Sequence, residues 1–183
     1  MSELEKMLRG EEFDGSSPEI EQLRIDTAAL KLEMNQSIDS DQRYALQQRL
    51  FHAIGESSMV QPPFHCEFGQ TISIGHHTFL NMNVTMLDGA PITIGNHVLV
   101  GPNCQFYTPT HSLDHRERKH WEVVCQPITV EDDVWIGGSV VITQGVTIGA
   151  CSVIAANSVV TSDVPSDCLY AGSPARFIKS LND

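Results

Sequence analysis

The chain has 183 residues, 41% of them hydrophobic and 19% charged, the balance of one soluble globular domain large enough to own a core. Its 11 Lys and Arg stand against 23 Asp and Glu, a formal charge of −12, which argues against a nucleic-acid backbone as partner. A small anionic ligand needs only a local basic site and is not excluded.

The opening "MSELEKMLRG" is charged and has no apolar stretch of a secretory signal, and no run of the chain approaches a membrane span. The five cysteines, Cys66, Cys104, Cys125, Cys151 and Cys168, are scattered, odd in number and form no CxxC. That usage predicts reduced thiols and a cytoplasmic protein, with no cysteine-based metal site.

Residues 1–58 read as an N-terminal helical segment. Ser17-Pro18-Glu19 is a helix start, and Ile20, Leu23, Ala28, Leu30 and Met34 follow among charges. In "DSDQRYALQQRLFHAIG" the residues Tyr44, Leu46, Leu50, Phe51 and Ile54 share roughly one helical face, with Gly55 as the stop. Such short helices need a surface to pack on.

Beyond them the period changes to six, over a region predicted to run from 59 to 165. The aliphatic residue recurs at Ile74, Leu80 and Met86, then at Ile94, Val100 and Phe106. After a break it recurs at Val130, Ile136, Ile142, Ile148, Ile154 and Val160. A second small or β-branched residue stands two positions earlier, and glycine often stands one position later, as at Gly75, Gly95, Gly101, Gly137 and Gly149. Six is neither a helical period nor a strand alternation. It describes a short strand and a turn, repeated, with each coil burying its aliphatics on the coil below: a parallel β-helix. The glycine after the aliphatic suits a tight corner. A β-sandwich would instead alternate with period two and have irregular loops. The spacing alone does not set the hand of the coil. Residues 166–183 are expected to form a C-terminal tail.

"ITIGNHVLVGP", "VWIGGSVVITQGVTIGACSVIAANSVVTSDVP" and "AGSPAR" resemble the hexapeptide-repeat acyltransferases. The helical start "EKMLRGEEFDGSSPE", the segments "PPFHCEFG" and "FLNMN", and the loop "TPTHSLD" resemble the maltose and galactoside O-acetyltransferase branch. The resemblance spans residues 4 to 180. It implies a mainly β fold, a left-handed parallel β-helix of hexapeptide repeats preceded by an α-helical segment. It further implies acetyl-CoA as co-substrate, no metal, and a homotrimer whose acetyl-CoA and acceptor meet between adjacent subunits.

The break in the rhythm, about 108 to 126, holds His111, His115 and His120. Moving an acetyl group from a thioester to a hydroxyl requires a base, and histidine suits that task near neutral pH. The resemblance places the catalytic base on His111, taking the proton while the acceptor oxygen attacks the acetyl carbonyl directly. It places acceptor contacts on Asp14, Glu67 and Asn81. A further contact falls on Gly89, which has no side chain to offer. Toward CoA it points to Gly138, Ala156, Thr161, Ser162, Arg176 and Lys179; Ser162 stands where relatives often have lysine. The two basic residues suit nucleotide phosphates. Trp135 matches a tryptophan near the CoA groove.

The expected function is thus acetyl-CoA-dependent O-acetylation of a sugar of the maltose, glucose or galactoside type, without nucleic acid or membrane partners. Two alternatives share the fold. One is an N-acetyltransferase of an amine-bearing small molecule. The other is a zinc enzyme like the γ-carbonic anhydrases, prompted by the three histidines and the aspartate of "HSLDHRERKH".

Overall fold

A computed structural model describes residues 1–11, 13–120 and 124–182. Three helices come first: α1 (Glu3–Leu8), α2 (Pro18–Gln36) and α3 (Ser40–Leu50). Each starts on a side-chain cap that takes up amides the helix leaves unpaired. Ser2 forms a capping box with Glu5, Ser17 accepts from the Ile20 amide ahead of Pro18, and Asp39 accepts from the Asp41 and Gln42 amides. The start predicted at Ser17-Pro18 is therefore the observed one. The predicted stop at Gly55 is not, because α3 ends at Leu50 and Ile54 already belongs to a strand. The buried face of α2 is Ile20, Thr27 and Met34, and Ala28 is exposed.

The rest is a parallel β-helix of five three-stranded coils. The first is β1 (Ala53–Ile54), β2 (Met59–Val60) and β3 (Phe64–Cys66); the second is β4 (Ile72–Ile74), β5 (Phe79–Leu80) and β6 (Val84–Leu87). The third is β7 (Ile92–Ile94), β8 (Leu99–Val100) and β9 (Gln105–Tyr107). An antiparallel pair, β10 (Pro109–Thr110) and β11 (Val124–Cys125), then leaves the coil and returns to it. The fourth coil is β12 (Ile128–Val130), β13 (Trp135–Ile136) and β14 (Val141–Ile142); the fifth is β15 (Thr147–Ile148), β16 (Val153–Ile154) and β17 (Val159–Val160). Equivalent strands stack in register into three sheets, so Ile74 lies over Ile94, Leu80 over Val100, and Met86 over Phe106.

All twelve residues of the six-residue rhythm are buried, none with more than 3% of its surface exposed. The residue two positions earlier is buried as well, from Ile72 to Ser158. Ser152 and Ser158 replace aliphatics at the far end and are satisfied mostly by the chain that follows. Ser152 donates to the Pro165 carbonyl and accepts from the Cys168 amide; Ser158 donates to the Ala155 carbonyl and accepts from the Gly172 amide. Pro165, Cys168 and Gly172 flank or belong to β18 (Cys168–Gly172), which pairs antiparallel with β19 (Ala175–Ser180). In place of the expected tail stands a two-stranded end on the second sheet.

The corners differ from the expectation in one respect. The left-handed backbone falls three residues after the aliphatic, at Ser57, His77, Asn83, His97, Asn103, Asp133, Ser139, Cys151, Asn157 and Asp167, all with φ between 54 and 60°. The glycine directly after the aliphatic is there for room. A Cβ on Gly75 would stand 2.6 Å from the Gly95 carbonyl of the next coil, and one on Gly137 would stand 2.6 Å from the Ala156 amide.

The first coil has no coil before it, so its carbonyls face outward as an open edge. Side chains of α2 and α3 cover that edge. Tyr44 donates to Gly55, Gln47 to Val60, Asn35 to Phe64, Lys31 to Cys66 and Thr27 to Phe68, at 2.7–3.2 Å. The helical segment is thus the plug of the β-helix.

Candidate active site

Strands β3, β6 and β9 leave the third sheet at a common corner. Cys66, Met86 and Phe106 are in register there, which stacks the residues that follow them. In the first coil the turn begins at Glu67. Its carboxylate accepts from Arg24 Nε at 3.1 Å, and Arg24 Nη1 donates to the Gly15 carbonyl at 2.7 Å. The Arg24 guanidinium also lies over the Phe68 ring, 5.2 Å from its centroid, a cation–π contact. One arginine on α2 therefore joins the segment holding Asp14 to the turn holding Glu67. Asp14 is exposed; the Ser16 hydroxyl and then the Ser16 amide hold its carboxyl below the ordinary aspartate value.

In the second coil the corner residue is Asp88, fully buried beneath that turn. Its Oδ1 accepts from the amides of Glu67 at 2.7 Å and Phe68 at 3.1 Å. Its Oδ2 accepts from the Gly69 amide at 2.7 Å and lies 2.7 Å from the Thr71 hydroxyl, whose proton it shares with the Asp88 carbonyl at 2.6 Å. Burial pushes the Asp88 carboxyl above its ordinary value despite those four donors. Beside it, a Cβ on Gly89 would lie 2.7 Å from Cys125 Sγ, so a side chain there requires the thiol to turn away. Burial and the nearby Glu67 carboxylate raise the Cys125 thiol.

In the third coil Thr108 ties the corner vertically. Its hydroxyl donates to the Leu87 carbonyl at 2.6 Å and accepts from the Ala90 amide at 3.1 Å. The chain then leaves through β10, whose Pro109 pairs with Cys125 of β11. His111 follows directly and is exposed. The loop beyond is braced from within: Ser112 bonds Glu117, Asp114 bonds Arg116, and Arg118 Nη1 donates to the Ser112 and Leu113 carbonyls. Glu67, Arg24 and Cys125 thus meet at this corner, with Asp14 linked to it through Arg24, and His111 leaves the coil from the same corner two coils beyond Glu67.

Asn81 lies elsewhere. It follows β5, at the other end of the third sheet, where its amide bonds the Val100 carbonyl. That corner is also the place of Gly138 and Ala156, stacked through the bonds of the Ser139 amide to Pro102 and the Asn157 amide to Gly138. A single chain therefore separates Asn81 from His111 by the width of a sheet. Thr161 and Ser162 are exposed after β17, on the His111 corner but two coils further on. Arg176 and Lys179 are exposed on β19. Trp135 is 56% exposed on the outer face of the second sheet. Among the described residues, no group of three His, Cys, Asp or Glu is placed to hold a metal ion, and no helix is long and apolar enough to cross a membrane.

Arg24 and Asp88 are site residues that the sequence pattern does not single out. For Arg24 a signal exists: Arg24, Thr27, Lys31 and Asn35 recur at helical spacing on α2 and all bond the turn or β3. Attention to the apolar face of that helix alone hides its polar one. Nothing local marks Asp88 as buried.

Two family models match the chain: the maltose acetyltransferase hexapeptide capping motif over residues 6–55, and the bacterial transferase hexapeptide (six repeats) over 127–162. Galactoside O-acetyltransferase of Escherichia coli is 38% identical over 181 residues, 98% of this chain and 89% of the relative. The chain belongs to the hexapeptide-repeat acyltransferases. Within them this acyltransferase falls in the maltose and galactoside branch, and its β-helix is left-handed. A hexapeptide-repeat containing acetyltransferase from Vibrio cholerae, solved with acetyl coenzyme A, superposes with a TM-score of 0.99 at 68% identity, each chain covered in full. A galactoside acetyltransferase solved with coenzyme A gives 0.92 at 35% identity, over 100% of this chain and 92% of that one.

Proposed function

We propose that this acyltransferase moves the acetyl group of acetyl-CoA to a hydroxyl of a sugar of the maltose, glucose or galactoside type, with His111 as general base. The observation behind this reading is the corner where β10 and β11 interrupt the coil. His111 follows β10 at the same corner of the coil from which Glu67, bonded to Arg24, leaves β3 two coils earlier; carboxylate and guanidinium are groups suited to hydroxyls of an acceptor. Relatives solved with acetyl coenzyme A or coenzyme A support the donor.

In the reaction, Nε2 or Nδ1 of neutral His111 removes the hydroxyl proton as the oxygen attacks the thioester carbonyl. The tetrahedral oxyanion then collapses and expels the CoA thiolate, which takes up the proton from the imidazolium. Glu67, Arg24 and Asp14 orient the acceptor. Gly138 and Ala156 leave a shallow path for the pantetheine arm, Thr161 and Ser162 border it, and Arg176 and Lys179 suit the phosphates.

His111 and the Asn81–Gly138–Ala156 corner lie at opposite ends of one sheet, so a complete site requires two copies of the chain. Its assembly as a homotrimer is supported by an apolar ladder on the outer face of the second sheet, where Met59, Phe79, Leu99, Trp135 and Val153 stand in register. The protein works in the cytoplasm, in keeping with five free cysteines.

The test is CoA thiol release from acetyl-CoA across a panel of sugars and amines. His111→Ala should lower turnover roughly 10²–10⁴-fold, the usual share of a general base. Co-assembling His111→Ala with Ala156→Trp chains should restore part of the activity, because some interfaces then combine two intact half-sites. Unchanged turnover in His111→Ala would reject the base, and turnover with amines alone would move the reading to N-acetylation.

A further inference from the structure

Asp88 is the only acidic side chain among the described residues that is fully buried. A carboxylate is costly to bury unless its oxygens are met by donors. The four hydrogen bonds that its carboxylate accepts, 2.7–3.1 Å long, all come from a single stretch of chain, the turn from Glu67 to Thr71. One coil further on, the equivalent position is Thr108, and a hydroxyl suffices there because only one amide points at it. The turn above Asp88 aims three consecutive amides inward, and only a two-oxygen acceptor satisfies them.

The same turn is pinned from outside by Thr27 on the Phe68 carbonyl and Lys31 on the Cys66 carbonyl. Held on both sides, it presents one reactive group outward: the Glu67 carboxylate, facing Arg24. The shorter of the two amide bonds to Asp88 Oδ1 is that of Glu67 itself. We propose that Asp88 is a positioning residue for the acceptor site: by fixing the Glu67–Thr71 turn it sets where the Glu67–Arg24 pair meets the acceptor. This rests on the reading of that corner as the acceptor side.

The experiment compares wild type, Asp88→Asn, Glu67→Gln and the double variant, with methyl β-galactoside and maltose as acceptors. KM and kcat are measured separately for the acceptor and for acetyl-CoA, and amide exchange is followed at residues 67–69. Asn keeps one acceptor oxygen and turns an N–H toward the Gly69 amide. Asp88→Asn should raise the acceptor KM roughly 10-fold or more, as displaced contacts do, while the acetyl-CoA KM stays within about twofold. Exchange at 67–69 should quicken. The double variant should be no worse than the more damaging single one, because both act through the same carboxylate.

Equal losses toward both substrates, or additive losses in the double variant, overturn the assignment and leave Asp88 a structural residue. If Asp88→Asn does not fold, Thr71→Val removes one of the four donors, and its acceptor KM rise should vanish in the Glu67→Gln background; a persisting rise overturns the proposal. A wild-type enzyme that acetylates these sugars with Glu67→Gln unaffected removes Glu67, and Asp88's role with it, while keeping the function. No turnover with any sugar overturns the acceptor reading itself.

Discussion

Replacing Asn35 with alanine should loosen the plug of the β-helix at a single point. Asn35 Nδ2 donates to the Phe64 carbonyl and its Oδ1 accepts from the Phe64 amide, both at 2.9 Å. Phe64 lies in the first coil, so no earlier strand can take over either bond, and its side chain is fully buried against Phe51. Leaving two covered backbone groups unpaired costs about 1–3 kcal/mol each, less where water reaches them. Against this, alanine favours the helix by about 0.5 kcal/mol. The net loss should be about 1.5–5.5 kcal/mol, or a fall in Tm of about 3–22 °C for a chain of this length. Asn35→Asp keeps the acceptor and loses the donor, so it should fall between the two. Thermal unfolding by circular dichroism, with amide exchange at Phe64, measures both variants. An Asn35→Ala protein within about 0.5 kcal/mol of wild type would refute the idea that these bonds close the open edge.

Room and conformation at the corners separate in two substitutions. Gly75→Ala should cost about 3 kcal/mol or more, since its Cβ would press on the Gly95 backbone at 2.6 Å. At Ser139, with φ of 58°, glycine should keep stability within about 1 kcal/mol and valine should lose about 2, read from urea midpoints. The buried Asp88 carboxyl gives a pH signature. Its folded pKa is raised, so the native state holds this proton more tightly than the unfolded chain does. That contribution is full below about pH 4, the unfolded aspartate value, and is lost as pH rises through the folded value. The plot of Tm against pH should therefore be flatter in this window for Asp88→Asn than for wild type; parallel curves would contradict the shift.

The six-residue rhythm determined the β-helix because a narrow stacked core admits one aliphatic per side of each coil. Spacing alone therefore turns Ile74 through Val160 inward, and Ser17-Pro18 marks a helix start through its own capping chemistry. The break at 108–126 is legible for the same reason: a loop stands out against a strict period, and His111 lies within it.

Register and long-range hydrogen bonding were decided only by the tertiary structure. The glycines after each aliphatic look like turn residues in the sequence, yet they answer to the backbone of a coil some twenty residues away, as Gly75 does to Gly95. The left-handed corners fall on His, Asp, Ser and Cys as readily as on Asn, so composition hides them. Asp88 reads as a surface charge until folding makes three amides from another coil converge on it. Asn81 and His111 read as parts of a single site until stacking puts them at opposite ends of one sheet. A periodic sequence states what each coil buries, because burial depends on the residue itself. What each corner faces depends on its neighbours along the stack, and only folding brings those together.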